Sequence, residues 1–597
     1  MPHRHTQPEI DSEGGTLRVG RALRDALRGG YSSRDLRADV LSGIVVGIVA
    51  LPLAMALAIA SGVPPQHGIY TSIVAGALIA LLGGSRSSVS GPTAAFVVLL
   101  APISQRFGVG GLMLATFMAG MILVLLGVSR MGRLIQFIPH PVTTGFTAGI
   151  GVVIATLQLK DFFCLTVPNM PEHFPERVVA LAKALPSVHV PDLCIGGFTL
   201  ILLVVWPKIT RRIPGPLFAM AFGAGLAWLL SRLVDGFHVD TIASRFTYVL
   251  DGRTLHGIPR TPPHFDWPWN WPGPGGQPLE PSLGLLRQLM GPAFAIAALG
   301  AIESLLCAVV ADGMAGTKHD SDVELFAQGV GNLVAPLFGG IAATGAIART
   351  ATGIRAGSRS PISAIVHALF VLAVVLLLAP LLGWLPMASL AALLLVVAWN
   401  MSDVRHFVHV VRVAPKSDLL VLLACFSLTV VFDMVVAVSV GIVLAALLFM
   451  RRMAELSSTR LATDDHPHLK DPHLKDVVVY EIAGPLFFGA AEKAVSAITR
   501  VSGKARVVIL VMDQVPVIDV TGLVALESAI EKLQKNGTFV VMAGVQPPPR
   551  AALEKAGLRE EPGRLAMCAD DREALLVARL FLGIAADKSA EREAPVA

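Results

Sequence analysis

The sequence predicts a polytopic α-helical membrane protein that ends in a small α/β domain. Of its 597 residues, 54% are hydrophobic and only 15% are charged, whereas soluble globular proteins carry roughly 25% charged residues. No Asp, Glu, Lys or Arg occurs between Asp39 and Arg86, nor between Arg359 and Asp403, and each gap has room for two apolar spans of about 20 residues. A water-soluble enzyme is therefore excluded for the chain as a whole. The net charge of +5 is too small for this length to indicate nucleic acid as a partner.

Composition divides the chain into five predicted regions. They are a polar leader (1–38), a transmembrane domain (39–452), a linker (453–475), an α/β domain (476–585) and a disordered tail (586–597). The basic run of the leader fits either a cytoplasmic segment on anionic lipid or a disordered tail. The leader contains no short apolar segment, so we expect no cleaved signal peptide.

Apolar runs between turn or charge clusters predict fourteen membrane spans. Several of them are too short to cross a bilayer alone. Their approximate positions are 39–61, 67–83, 92–104, 109–128, 139–160, 193–206, 215–233, 288–311, 325–338, 345–356, 361–379, 383–399, 417–432 and 434–452.

The charges of the short loops predict the orientation, because positively charged loops stay in the cytoplasm. Arginines and lysines cluster in alternate loops, whereas the turns at 62–66, 339–344 and 380–382 carry none. Both termini are therefore expected in the cytoplasm, with the loops 161–192 and 234–287 outside. The second of these loops ends in TPPHFDWPWNWPGPGGQP, which either caps the outer face or forms an ordered surface loop without a role in transport.

The five cysteines lack the clustered spacing of a metal site, and no cofactor is expected. Cys164 and Cys194 flank the first outer loop, where the oxidising environment permits a disulfide. The pair is therefore either bonded or two free thiols, because the sequence does not give the distance between them.

Spans three and ten are short, and each follows a run of small residues. Span three begins SVSGPTAAF (88–96), and span ten follows FGGIAATGAIART (338–350). Occurring at matching places in two halves of seven spans, such broken helices are the signature of an inverted-repeat transporter. Their N-termini would direct unpaired N–H groups and positive dipole ends at an anion. The alternative is that Gly and Ala only permit close helix packing here.

Two charges lie within the apolar region. Glu303 is surrounded by AFAIAALGAIESLLCAVV, so it is either a group that gains and loses a proton during a cycle or a permanently neutral structural residue. Arg349 lies in the first turns of span ten and needs a carboxylate partner or an anionic ligand, so it could pair with Glu303 in an empty site. Asp433 is expected at a solvated turn. Three histidines are expected to make polar contacts near span ends, namely His67, His140 and His367.

Charge density returns after the last span, and the pattern becomes that of a soluble domain. Three buried strands are predicted at 477–483, 506–512 and 538–543. Helical periodicity at 487–501 and 521–535, with a further helix near 548–556, predicts a small sheet covered by helices.

Four segments of the apolar region resemble the SulP family of anion transporters, the bacterial relatives of the solute carrier 26 group. They are LPLAMALAIASGVPPQHGIY (51–70), GGSRSSVSGPTAAF (83–96), GAIESLLCAVVADGMAGTKHDSDVELFAQGVGNLVAPLFGG (300–340) and ATGAIARTATGIRAGSRSP (343–361). The resemblance implies a seven-plus-seven inverted repeat, with a core of spans one to four and eight to eleven and a gate of the remaining spans. It places the anion between spans three and ten, with Leu53, Leu57, Gly91, Pro92, Thr93, Ala94, Ala95, Thr344, Gly345, Ala346, Ile347, Ala348 and Arg349 as substrate-binding residues.

Within that family the chain looks like the subgroup that takes up C4-dicarboxylates such as succinate, fumarate and aspartate. Sodium-coupled bicarbonate relatives place Asp and Thr in span eight where this chain has Glu303 and Cys307, so a sodium site is disfavoured and Glu303 is the expected proton-coupling residue. The resemblance thus implies proton-coupled uptake across a bacterial inner membrane by a homodimer. The alternatives are a sulfate or bicarbonate transporter, an uncoupled anion channel, and a membrane-anchored regulator.

The C-terminal region resembles a STAS domain, the usual companion of SulP membrane domains. The resemblance rests on GPLFFGAAEK (484–493) and DQVPVIDVTGLVAL (513–526), and it implies an unidentified cytoplasmic partner. Asp519 and Thr521 are the possible regulatory residues, because the helix start that contains them can bind a phosphate or be capped. The hydroxyl at this position is phosphorylated in signalling relatives, so capping by Asp519 and phosphorylation of Thr521 are both open.

Overall fold

The computed structural model of the chain describes residues 17–133, 139–167, 170–171, 173–210, 214–250, 253–432, 434–456, 458–461, 476–487 and 505–584. The expectations for Asp433, for most of the helix at 487–501, for most of the linker and for the tail at 586–597 lie outside these residues. The chain divides into two compact units, residues 1–443 and 444–597.

The part of the chain before the C-terminal sheet is almost entirely helical. Its helices are α1 (Arg21–Arg28), α2 (Ser33–Ala60), α3 (Pro65–Leu82), α4 (Ala94–Val128), α5 (His140–Phe162), α6 (Phe174–Ala184), α7 (Val190–Ile209), α8 (Gly215–Leu233), α9 (Ile242–Arg245), α10 (Leu283–Ala315), α11 (Ser321–Val334), α12 (Ile347–Arg355), α13 (Ile362–Gly383), α14 (Met387–Ser402), α15 (Val404–Val413), α16 (Lys416–Val431) and α17 (Met434–Leu456). Two pairs of short antiparallel strands join them, namely β1 (Ser90–Gly91) with β4 (Thr344–Gly345) and β2 (Thr247–Leu250) with β3 (Arg253–His256).

Local sequence accounts for where several of these helices begin. A capping box starts α2, in which Asp35 N donates to Ser32 Oγ (3.3 Å) and Ser32 N donates to Asp35 Oδ2 (2.9 Å). Asp320 starts α11 by accepting the backbone N–H groups of Asp322 and Val323, each at 3.2 Å. Proline stands in the first turn of α3, α5, α7 and α8, where its missing N–H costs no intrahelical hydrogen bond.

Ten helices among the described residues are long and apolar enough to cross a membrane, when α14 and α15 are taken together as Met387–Val413. Three of the remaining predicted spans correspond to shorter helices, α11, α12 and α16, of 14, 9 and 16 residues. Predicted spans three and four are the two halves of α4, and a kink at Gly108, with φ +70° and ψ −175°, separates them. The count of fourteen spans stays a prediction.

Small residues bring α4 and α11 into backbone contact. A Cβ atom at Gly120 would lie 2.5 Å from Leu333 N, and one at Gly127 would lie 2.6 Å from Phe326 N. Glycine therefore permits a close approach that any larger residue would prevent. This packing holds α11 against the helix that begins at the predicted anion site.

The possible disulfide of the first outer loop is not formed. Cys164 and Cys194 are both free thiols, and Cys194 is exposed on α7. The Cys164 Sγ donates instead to Asp240 Oδ2 at 3.6 Å. Burial, together with the carboxylates of Asp192 and Asp240, raises the pKa of Cys164 to about 12, so this thiol stays protonated and unreactive at neutral pH.

The C-terminal unit is a five-stranded sheet in the order β5-β6-β7-β8-β9, in which only β5 runs antiparallel to its neighbour. Its strands are β5 (Ser458–Leu461), β6 (Val477–Ala483), β7 (Val507–Gln514), β8 (Phe539–Ala543) and β9 (Leu565–Cys568), and its described helices are α18 (Val520–Lys535), α19 (Pro547–Lys555) and α20 (Asp571–Phe581). One face of the sheet packs on α18 and α19, and the other packs on α20. The central strand β7 is apolar and buried from Val507 to Met512, because both of its faces are covered there.

Three predicted strands and two predicted helices of this unit agree with β6, β7, β8, α18 and α19. The sequence did not predict the two edge strands or α20. β5 reads STRL and β9 reads LAMC, and neither contains the long apolar run that marks a central strand. Residues 453–461, which the composition assigns to the linker, contain the end of α17 and β5.

Candidate functional site

Two short strands bring the starts of α4 and α12 together. Ser90 pairs with Gly345 and Gly91 pairs with Thr344, and the Ala346 N–H donates to the Val89 carbonyl at 2.9 Å. Each strand ends two or three residues before its helix begins, so the pairing places the two helix N-termini side by side. The structure therefore joins the two segments that the small-residue runs singled out.

Neither helix caps its own N-terminus with the N-cap side chain. Thr93, the N-cap of α4, makes no bond to the first turn of its helix, and Ala346, the N-cap of α12, has no polar side chain. The first-turn N–H groups of an uncapped helix and its positive dipole end attract an anion. Ile347 is 44% exposed and Ala348 is also exposed, so the start of α12 is open to a ligand.

Glu303 contacts the start of α4. Thr93 Oγ1 donates to Glu303 Oε2 at 3.1 Å, and Glu303 is half-buried on α10. One turn of α10 also supports β4, because the Ser304 and Thr344 hydroxyls lie 2.7 Å apart and Gly345 N donates to Ser304 Oγ at 3.2 Å. The carboxylate therefore lies beside the predicted anion site, bonded to the residue that begins α4.

Arg349 is almost completely buried, with 1% of its surface exposed, and it reaches across to the other half-helix. Its Nη2 donates to the Pro92 carbonyl at 2.8 Å, whereas its Nε and Nη1 atoms have no hydrogen-bond partner among the described residues. A Cβ atom at Gly91 would collide with Nη1, so glycine makes room for the guanidinium. The expected ion pair between Glu303 and Arg349 is absent, because Thr93 holds the carboxylate while Arg349 extends to Pro92.

A polar face of α11, which the sequence does not predict to have a role, supports the turns that precede both strands. Glu324 Oε2 accepts the backbone N–H groups of Gly84 (3.0 Å) and Ser85 (3.1 Å). Gln328 Nε2 donates to Ser90 Oγ at 2.8 Å. Asn332 binds Ala343 twice, accepting from its N–H and donating to its carbonyl, both at 2.8 Å. The available signal was the spacing of Glu324, Gln328 and Asn332, because residues four apart share one face of a helix.

The other predicted residues have less direct relations to the site. Leu57 is buried and Leu53 half-buried on α2, and neither side chain can donate a hydrogen bond to an anion. His67 Nδ1 lies 2.7 Å from the Gly339 carbonyl, and His140 Nδ1 lies 3.2 Å from Thr144 Oγ1. These two histidines make the polar contacts that the sequence predicts. The prediction is wrong for His367, which is buried on α13 with neither ring nitrogen bonded to any described residue.

In the C-terminal unit, Asp519 caps α18. Its Oδ1 accepts the Gly522 N–H at 2.7 Å, while Thr521 is exposed on the first turn. Of the two roles left open for this turn, capping by Asp519 and phosphorylation of Thr521, the structure thus contains the cap. The start of α18 differs in this respect from those of α4 and α12, which carry no such cap.

Comparisons with known proteins agree with this architecture. The sulfate permease family model matches residues 36–425, and the STAS domain model matches residues 468–571. YvdB of Bacillus subtilis, named as a candidate sulfate transporter, is 39% identical over 537 residues, which cover 90% of this chain and 96% of that protein. The bicarbonate transporter BicA of a Picosynechococcus species is 29% identical over 88% of this chain and 91% of its own.

The fold also resembles a solved structure of the murine solute carrier 26 member A9 anion transporter in its inward-facing state. The TM-score is 0.81 at 19% identity, with 96% of this chain and 97% of that chain covered. The chain therefore has the helical fold of the solute carrier 26 transporters, followed by a STAS domain. At this identity the likeness concerns the fold, not the substrate.

Proposed function

We propose a function from one premise, which is that the chain belongs to the sulfate permease family. It is a multi-pass membrane protein of an anion-transporter family and not an enzyme. On that basis we propose a secondary active transporter that carries a small oxyanion, sulfate or bicarbonate, across a bacterial inner membrane. The observation that supports this most strongly is the pairing of two uncapped helix starts beside a buried arginine that has no carboxylate partner among the described residues.

Sulfate is the first proposed substrate, and bicarbonate the second. The relatives described above are named for these two anions, so they lend no support to the C4-dicarboxylate expectation. The site also favours a compact ion. A dicarboxylate carries two separated charges, whereas Arg349 is the cation that the described contacts bring to the paired helix starts. A sulfate ion presents all its acceptors around one centre, which suits N–H groups from two helices and one guanidinium.

Proton coupling through Glu303 remains part of the proposal. An ionised Glu303 beside Thr93 places a negative charge at the start of α4 and opposes an incoming anion. A proton on Glu303 removes that charge, so the proton and the anion enter together. This differs from a cycle in which Glu303 and Arg349 neutralise each other, because the structure does not pair them. Cys307, whose Sγ lies 3.2 Å from Thr350 Oγ1, supplies a soft sulfur at a position where a hard cation such as sodium would prefer an oxygen ligand.

We further propose a homodimer with both termini in the cytoplasm, in which the STAS domain contacts an unidentified cytoplasmic partner. The family match and the solved relative make this assembly reasonable for a chain of this fold.

The decisive experiment is uptake by purified protein in liposomes with imposed gradients. Sulfate, bicarbonate, succinate, fumarate and aspartate are compared, each with an inward proton gradient, an inward sodium gradient or neither. We expect saturable sulfate uptake that an inward proton gradient increases and that needs no sodium. If the protein took up succinate but neither sulfate nor bicarbonate, the proposed substrate would be wrong. Strict sodium dependence would overturn the proposed proton coupling. Downhill anion flux that is equally fast with a proton gradient, with a sodium gradient and with neither would identify a channel.

A further inference from the structure

The long connection between α8 and α10 is bound to the helix bundle in two separate stretches. Its first stretch is attached to gate helices. Asp240 N donates to Asp192 Oδ1 on α7 at 3.1 Å, and Arg245 forms an ion pair with Asp161 of α5 at 2.6 Å. Met387 N, at the start of α14, donates to the Asp240 carbonyl at 2.8 Å.

The second stretch, residues 261–279, is attached to core elements and is named here the Trp segment. The hydroxyl groups of Tyr70 on α3 and Thr261 lie 3.3 Å apart. Asp266 N donates to the Leu337 carbonyl at 2.7 Å, in the turn that precedes β4. Gly110 N of α4 donates to the Pro272 carbonyl at 2.9 Å. The Trp segment thus bonds to α3, to α4 and to the approach to α12.

Trp271 lies where these three elements meet. Its ring packs edge-on against His67 of α3, with ring centroids 5.3 Å apart, and His67 Nδ1 lies 2.7 Å from the Gly339 carbonyl. A Cβ atom at Gly339 would be 3.0 Å from Trp271 Cζ2, and one at Gly110 would be 2.5 Å from the Trp271 carbonyl oxygen. The turn at Gly339 leads into β4 five residues later, and Gly110 follows the kink that ends the first half of α4.

We propose that the Trp segment is a clamp that fixes the two half-helices relative to each other, with Trp271 as its positioning residue. The clamp contacts the kink that ends the first half of α4, where a Cβ atom at Gly108 would lie 2.5 Å from Gly273 C, and it also contacts the turn that enters β4. It therefore restrains both halves of the anion site from outside that site. Preorganised N–H groups bind a ligand more tightly because less ordering is needed at the moment of binding. The expected effect on anion binding rests on the proposed function. The existence of the clamp does not, because it concerns only contacts within the protein.

Four variants distinguish the contribution of the Trp271 ring from the contributions of neighbouring residues. Trp271→Ala removes the contacts with His67 and Gly339. Trp271→Phe keeps an aromatic ring beside His67 but lacks Nε1 and the Cζ2 atom that approaches Gly339, so it should lose less than Trp271→Ala. Trp267→Ala is the matched control, because Trp267 belongs to the same segment but is 44% exposed. Arg245→Ala loosens the stretch that is attached to the gate.

Two measurements on the full-length protein in nanodiscs test the clamp. Amide hydrogen exchange of residues 337–346 should rise in Trp271→Ala, rise less in Trp271→Phe, and stay at the wild-type level in the Trp267→Ala and Arg245→Ala variants. Sulfate affinity should fall about tenfold in Trp271→Ala only, with a smaller change in the maximal uptake rate, because a positioning defect weakens the site before it slows the cycle.

Unchanged exchange at 337–346 in Trp271→Ala would overturn the clamp, as would the same defect in Trp267→Ala. Faster exchange with unchanged affinity would overturn its role in positioning the site. A wild-type protein that binds neither sulfate nor bicarbonate would defeat the proposed substrate instead, and the exchange measurement would still decide whether the clamp exists.

Discussion

The two half-helices have the same backbone arrangement and opposite chemistry. Each begins just after a two-residue strand, and the two strands pair with each other. At the start of α4, Thr93 donates to the acidic Glu303. In the first turn of α12, Arg349 supplies a buried cation that extends to Pro92 on the opposite half. The backbone arrangement of the two halves is therefore nearly symmetric, and the side chains make one half acidic and give the other a buried cation, which fits the proposed roles of proton carrier and anion ligand.

The turns before the two strands differ less, because one helix supports both. Glu324 and Gln328 of α11 hold the approach to α4, and Asn332 of the same helix holds the approach to α12. A shift of α11 would move both helix starts together. The asymmetry of the site therefore lies in Glu303 and Arg349 and not in the scaffold.

The largest change in affinity is expected from Arg349→Ala. Charged hydrogen bonds contribute roughly 1.5–3 kcal/mol each, and about 1.4 kcal/mol is tenfold in affinity, so we expect about 100-fold weaker sulfate binding. Arg349→Lys should recover part of it, because it keeps the charge without the planar fork. Arg355→Ala is the control, since Arg355 is exposed in the last turn of the same helix. Calorimetric titration that gives equal affinities for Arg349→Ala and Arg355→Ala would remove the arginine from the site.

A smaller loss is expected from Gly91→Ala, which tests the cradle itself. The added Cβ would collide with Arg349 Nη1, so the guanidinium must move, and affinity should fall about tenfold. Gly345→Ala is the equivalent change in the partner strand, where the Cβ would lie 2.9 Å from Cys307 Cβ and not near the arginine. Gly225→Ala on α8, with no atom within 4 Å, should behave as wild type. A greater loss of sulfate affinity in Gly345→Ala than in Gly91→Ala would contradict the assignment of the charge to the α12 half.

Glu303→Gln should change affinity by less than about threefold and abolish coupling instead. Glutamine imitates the protonated acid and can still accept from Thr93, so binding should lose its dependence on pH while proton-driven accumulation stops. Thr93→Val removes the hydroxyl that now holds the carboxylate, and it should retain accumulation with a shifted pH dependence. Uptake and binding are measured from acidic to mildly alkaline pH for both variants. Normal accumulation by Glu303→Gln would exclude this residue as the proton carrier.

Sequence reasoning found the half-helices because Gly, Pro and small residues before a short apolar run are visible without a structure. It could not find the partner of Arg349, since Pro92 is 257 positions away and offers only a backbone carbonyl, which leaves no trace in a sequence. Hydropathy does not predict the role of α11 either. Its apolar content predicts a membrane span, whereas three polar residues on one of its faces hold the turns of the site. The break predicted between spans three and four is confirmed by the kink at Gly108, which separates α4 into two helical halves.

The smallest effect is expected at α18, whose start supplies the contrast to α4 and α12. Asp519 Oδ1 accepts the first-turn N–H of Gly522 at 2.7 Å, so the carboxylate of the chain itself already caps this N-terminus. Asp519→Ala should cost about 1 kcal/mol of local stability, as other lost N-caps do, whereas Asp519→Asn keeps an acceptor and should cost little. Thr521→Ala should change nothing measurable, because the exposed hydroxyl does not cap the helix. Amide exchange of residues 520–526 in the full-length protein separates the three, and sulfate affinity should be equal in all of them. If Thr521→Ala loosened the turn more than Asp519→Ala, the cap would be misassigned, and the distinction between a closed helix start at α18 and open ones at α4 and α12 would fail.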